Sequence, residues 1–99
     1  MKLNFKTFGE GEPIIILHGL FGSLDNWQTL GKKLAENYLV YLVDLRNHGK
    51  SPHSDSFSYL EMANDIAELI DDENLTDVNL IGHSMGGKTV MQFLNDYPD

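Results

Sequence analysis

The sequence predicts an α/β fold, a mainly parallel sheet flanked by helices on both faces in three layers. Three observations carry this. Ile14-Ile15-Ile16-Leu17, Tyr38 to Val43 and Val78 to Ile81 are short, continuously apolar runs rich in β-branched residues. Strands covered on both faces read this way. They alternate with stretches of helical periodicity, which implies right-handed crossovers. Each run also feeds a polar, glycine-containing loop, and such sheets place their sites at the carboxyl ends of the strands.

The elements follow in order. Leu3, Phe5 and, less regularly, Phe8 predict a first strand with one buried face. Gly9 to Pro13 is a turn, and the strand Ile14–Leu17 runs into the loop His18 to Gly22. A helix is expected from about Asp25 to Asn37. Ser23 or Asp25 caps it, with Gln28 placed for a capping box with Asp25. Trp27, Leu30 and Leu34 form its apolar stripe. The strand Tyr38–Val43 ends at Asp44, and a polar loop continues through Ser56. Ser58 and Glu61 form a capping box that opens a helix to about Asp71. Met62, Ile66 and Ile70 face the core, while Ala63 and Ala67 allow close approach to the sheet. Asp71, Asp72 and Glu73 oppose the helix dipole there and read as a solvated acidic turn. Val78 to Ile81 is the third buried strand. Lys88 to Tyr97 is the third helix, with Val90, Met91, Leu94 and Tyr97 inward, ended by Pro98.

Composition narrows the function. A net charge of −8 argues against nucleic acid or an anionic membrane as partner. A hydrophobic fraction of 41% suits one small folded domain rather than a disordered chain. The absence of cysteine excludes disulfides and thiolate metal sites, and fits a reducing compartment. Met1 to Phe8 alternates apolar with polar, unlike a signal peptide. No run approaches the ~20 residues of a membrane span. The expectation is a soluble, cytoplasmic protein.

The chemistry concentrates at Gly82-His83-Ser84-Met85-Gly86. A serine in G-x-S-x-G between strand and helix reads as a nucleophile elbow. Ser84 is then the nucleophile and Met85 N–H an oxyanion donor. The second donor comes from the loop after the earlier central strand. Leu20 N–H is the choice there and Phe21 N–H the alternative, with Gly19 and Gly22 bending the backbone. Phe21, Trp27 and His83 are candidates to line the substrate pocket, and Trp27 reads equally well as core.

A base for Ser84 is missing. His83 is adjacent in sequence, so its side chain points away. His18 is expected to bond backbone groups of its own loop, His48 to fix its turn, and His53 to be solvated. Beyond Ser84 the only carboxylates are Asp96 and Asp99, at the far end of a helix. Asp44 and Arg46 are either an ion pair shaping the middle loop or touching substrate, or parts of a structural turn in which Asn47 and Gly49 take positive φ. The second reading is favoured. Lys88 reads as solvated. The histidines show no i, i+4 pair, so neither metal nor cofactor is expected.

Together the motifs resemble the α/β-hydrolase family. His18-Gly19-Leu20-Phe21-Gly22-Ser23-Leu24-Asp25-Asn26-Trp27 is similar to its oxyanion loop. Val43-Asp44-Leu45-Arg46-Asn47-His48-Gly49-Lys50-Ser51 is similar to its D-x-R-x-H-G-x-S loop, and Gly82 to Lys88 to its elbow. The wording is closest to small YbfF-like serine esterases, over Leu3 to Asp99. The resemblance implies the N-terminal portion of an α/β-hydrolase fold. It also implies a serine hydrolase of the carboxylesterase or thioesterase type, acting on a small-molecule acyl ester through an acyl-enzyme on Ser84. Serine at the elbow speaks against the epoxide hydrolase and haloalkane dehalogenase branches, whose nucleophile is aspartate. C–C hydrolase, lyase and haloperoxidase chemistry stay open, as does a non-catalytic fragment or binding module.

Family members continue with further strands, a helical cap, the catalytic acid and the histidine. Residues 1–99 are therefore expected to be the N-terminal part of a single domain, inactive alone. Its elbow strand would be buried on both faces yet unpaired along one side, open to self-association.

Overall fold

The computed structural model describes residues 1–19, 22–55 and 57–97. Four strands, β1 (Phe5–Phe8), β2 (Glu12–Leu17), β3 (Tyr38–Val43) and β4 (Asn79–Gly82), form one sheet in the order β1-β3-β2-β4. β2 runs parallel to β3 and β4, and β1 is antiparallel to β3. Three helices, α1 (Gln28–Leu34), α2 (Tyr59–Asp72) and α3 (Met85–Asp96), cover it. The parallel registers pair Leu17 with both Val43 and Gly82. The three parallel strands therefore end level, and His18, Asp44 and His83 follow at one edge.

Period-two alternation along β2 and β3 divides the core into two layers. Ile14, Ile16, Val40 and Leu42 pack with Leu24, Trp27 and Leu34 on the α1 side. Ile15, Leu17, Tyr41 and Val43 pack with Met62, Ile66 and Leu69 of α2 and Met85 of α3. Full burial of an aliphatic side chain contributes about 1.5–3 kcal/mol. Ile15, Ile16, Leu17 and Leu42 are all at or below 1% exposure, so the β2–β3 pair is the centre of the fold.

Several elements depart from the sequence expectation. Pro13 belongs to β2 rather than to the turn. The helix expected from Asp25 begins as a 3-10 turn, Leu24–Trp27, before α1. Ser23 is its cap, and the reciprocal partner is Asn26, whose Oδ1 accepts Ser23 N–H. Gln28 and Asp25 instead bond each other side chain to side chain. Leu30 is exposed, and Gly31 takes its place against the sheet. A Cβ on Gly31 would lie 3.0 Å from Leu42 Cδ2, so a larger residue there would require the Leu42 side chain to give way.

α3 is rotated from its expected phase. Met91, Leu94 and Tyr97 are exposed, and Met85, Gly86 and Thr89 are buried. β4 is not buried on both faces: Asn79 and Ile81 are exposed and Leu80 half-buried. It is the last strand of the sheet, as expected. The acidic end of α2 is partly engaged, with Lys2 Nζ on Asp72 and Tyr41 Oη donating to Glu73 at 3.1 Å. Pro98 and Asp99 lie outside the described residues. No helix among the described residues is long and apolar enough to cross a membrane.

Candidate active site

Ser84 sits between β4 and α3 with φ 54° and ψ −110°, a backbone conformation sparsely populated by residues with a side chain. The surrounding packing explains how it persists. A Cβ on Gly82 would lie 2.4 Å from Gly86 C, and one on Gly86 would lie 2.3 Å from Leu17 O. The turn thus closes on itself and on the end of β2 at once. Gly86 N–H donates to His83 O at 2.9 Å and Lys88 N–H to Ser84 O at 3.0 Å, starting α3 on the serine. His83 N–H donates to Leu17 O at 3.1 Å and ties the turn to β2. The Ser84 side chain does not cap the helix. Met85 N–H, the first of α3, takes no backbone acceptor among the described residues.

A pocket of about 280 Å³ opens beside the serine, lined by Gly19, Gly22, Asn26, Trp27, His83 and Ser84. The His83 and Trp27 rings meet at 5.7 Å and make one wall. Trp27 also packs on the α1-side core. Gly19 lies close against the other walls: a Cβ there would be 3.0 Å from His83 Nδ1 and 3.5 Å from Ser84 Cβ, so the His83 ring would have to shift by a few tenths of an ångström. A larger depression of about 670 Å³ is lined by Gly22 and by residues of the 47–57 segment. It contains none of the elbow, so the candidate site is the smaller pocket. Leu20 and Phe21, assigned from sequence to oxyanion donation and to the pocket wall, lie outside the described residues.

The other polar residues at this edge are engaged with the fold. His18 is fully buried. Its Nε2 accepts Leu45 N–H at 3.0 Å and its Nδ1 faces Gly19 O at 2.8 Å. These partners require the neutral tautomer with the proton on Nδ1. Burial above all holds the imidazole below its ordinary value of 6.5, against the opposing pull of the Gly19 carbonyl. The His48 ring lies tilted against that of His18, with centroids 5.0 Å apart, and donates from Nδ1 to Arg46 O at 2.9 Å. His53 is exposed, as is Lys88.

Asp44 and Arg46 do not pair with each other. Arg46 forks onto Asp65, with Nε to Oδ2 at 2.7 Å and Nη2 to Oδ1 at 2.9 Å, and reaches Glu61 from Nη1 at 2.7 Å. The Asp65 carboxylate raises the guanidinium above its ordinary value. Asp44 accepts from Leu24 N–H, Lys50 N–H and Asn4 Nδ2 at 2.8, 2.9 and 2.9 Å. Burial pushes its carboxyl up, but these donors and nearby His18 outweigh it and leave the group below its ordinary value. The structural-turn reading is the observed one, with Asn47 at φ 65° and Gly49 at φ 50°.

Sequence reasoning missed Asn26 as a pocket residue and Asp65 as the partner of Arg46. Ser23-x-x-Asn26 is a capping signal with the unusual Asn at the third position. Asp65 carries no local signal, because its partner lies 19 residues away.

The chain matches the family model described as alpha/beta hydrolase fold over residues 12–99. It is 42% identical over 96 residues to Esterase YbfF of Escherichia coli (strain K12), covering 92% of this chain and 38% of that protein. It is 44% identical over 90 residues to Ethanol acetyltransferase 1 of Wickerhamomyces ciferrii, covering 89% and 23%. A solved structure described as a marine microorganism esterase superposes with a TM-score of 0.97 at 56% identity, over 99% of this chain and 38% of that one. The chain therefore spans well under half the length of these relatives.

Proposed function

The chain belongs to the α/β-hydrolase fold family, and from that premise we propose that Ser84 is the nucleophile of a serine hydrolase of the carboxylesterase or thioesterase type. One observation carries the reading: Ser84 is held at φ 54° on a glycine-closed turn, at the level end of the parallel strands and on the N-terminus of α3. Ser84 Oγ attacks the acyl carbonyl, and Met85 N–H stabilises the oxyanion at the positive end of the helix. The leaving alcohol or thiol departs to give an acyl-enzyme, which water hydrolyses. The Trp27–His83 wall bounds the reacting group. Leu20 N–H remains the proposed second donor, with Phe21 N–H as alternative.

The base and its orienting acid are proposed to lie outside residues 1–99, making these residues the N-terminal part of one domain. The engagement of His18 and His48 with backbone groups supports this. So does the greater length of the relatives. Residues 1–99 alone are then expected to show negligible turnover, since loss of the base lowers kcat by about 10⁶ in a well-studied serine enzyme. A cytoplasmic location and a small-molecule acyl ester as substrate complete the reading.

The full-length protein tests it by labelling with a fluorophosphonate probe. Labelling is expected to vanish in Ser84→Ala, and labelling that survives the substitution would reject Ser84 as nucleophile. A second reading, transfer of the acyl group to an alcohol in place of water, draws on the similarity to the ethanol acetyltransferase. Product analysis in water–ethanol mixtures separates the two by the ratio of ester to free acid.

A further inference from the structure

We propose that Asp44 is a positioning residue whose carboxylate sets the turn that forms the wall of the Ser84 pocket and leads from the proposed oxyanion donors. The proposal rests on the Ser84 reading. β3 is followed by two adjacent residues, Asp44 and Leu45, and each holds one end of the segment between β2 and the 3-10 turn. At the first end, Leu45 N–H donates to His18 Nε2 at 3.0 Å, and His18 Nδ1 meets Gly19 O. At the second end, Asp44 Oδ1 accepts Leu24 N–H at 2.8 Å. Between them Gly22 N–H closes onto Gly19 O at 3.0 Å. Leu24 opens the 3-10 turn that contributes Asn26 and Trp27 to the pocket.

The two carboxylate oxygens divide their work. Oδ1 takes the Leu24 amide, while Oδ2 takes the Lys50 amide and Asn4 Nδ2. Asp44 is 2% exposed, and a Cβ on Gly49 would fall 2.3 Å from its carboxyl carbon. Water therefore has no room to replace a lost acceptor. A carboxylate accepts on both sides, whereas a carboxamide has one oxygen and one donating nitrogen. In Asp44→Asn the oxygen stays with the two donors, and the new NH₂ opposes Leu24 N–H. The isosteric change thus releases the pocket turn and leaves the 44–51 loop tied. Small displacements of positioned groups lower the chemical step more than ground-state binding.

The test uses the full-length protein. Asp44→Asn is expected to lower kcat by about 10- to 100-fold with KM within about threefold, and to speed amide exchange over residues 22–27. Asn4→Ala removes a donor to the same carboxylate without touching that segment. It is expected to lower Tm while leaving kcat within about twofold and exchange over 22–27 unchanged. A folded Asp44→Asn protein with kcat within about threefold of the unaltered protein would overturn the proposal. If Asp44→Asn does not fold, the unaltered protein decides: Leu24 must exchange far more slowly than its exposed neighbour Asp25, and equal rates overturn it. Activity surviving in Ser84→Ala would reject the nucleophile instead, and the exchange data would still report on Asp44.

Discussion

The loop after β3 and the turn after β4 end level at one edge of the sheet, yet their polar groups are used in opposite ways. In the 44–51 loop four side chains of catalytic type are engaged: Asp44 by three donors, Arg46 by two carboxylates, His48 by a carbonyl, Ser51 Oγ by Asp44 O at 2.5 Å. In the elbow, Ser84 makes no cap bond and Met85 N–H takes no backbone acceptor among the described residues. The first loop starts with three buried residues beside the centre of the fold, and the second sits on the edge strand. Residue type alone does not distinguish a chemical group from a structural one. The difference lies in whether its hydrogen-bonding capacity is already satisfied.

The sharpest way to break this contrast is to unpair Arg46. Arg46→Met leaves the Asp65 carboxylate, 4% exposed, without its guanidinium. Breaking a buried pair from one side costs about 3–5 kcal/mol, and urea unfolding should show a loss of that size. A loss below about 1 kcal/mol would mean the pair is solvated and the loop less engaged than described.

Acid should weaken the same region next. His18 has a folded-state pKa below its ordinary 6.5, so its contribution is fully present above pH 6.5. It is lost as pH falls through the lowered value, because the unfolded chain binds the proton first. Stability in this window should decline by at most about 1.4 kcal/mol per pH unit. Asp44, also lowered, adds a second decline below its ordinary 3.8. Unfolding at pH 8 and pH 5.5 should show the first slope in the unaltered protein and not in His18→Asn. A slope that persists in the variant would move the effect to another group.

The smallest effect belongs to a contact remote from either loop. Lys2, 75% exposed, meets Asp72 at the end of α2. Lys2→Ala should leave the unfolding midpoint within measurement error, and a clear fall would show that surface charge contributes where burial was credited.

The legibility of these regions in sequence follows the same division. β3 is read to the residue because a β-branched and aromatic run flanked by polar residues has one interpretation. The three site loops are found because parallel strands deliver them to one edge. α3 is misread because its inward face contains Gly86, which touches the end of β2, and Thr89, which meets Met62 of α2, while apolar Met91 and Leu94 face out. Hydrophobicity marks burial by side-chain size and fails where backbones touch. β4 is misread for a related reason, since its apolar character exceeds the cover it receives among the described residues. Asp65 goes unread as the partner of Arg46 because the return of α2 over the loop is not visible in sequence.

The backbone of Ser84 has one more consequence. A residue with a Cβ at φ 54° and ψ −110° carries strain on the order of 1–3 kcal/mol, comparable to a sizeable fraction of a small domain's net stability. Glycine would relieve it and remove the hydroxyl. Stability and the proposed chemistry therefore pull this single position in opposite directions. Under the proposed role of Ser84, Ser84→Gly should make the fold more stable while abolishing the labelling of the protein.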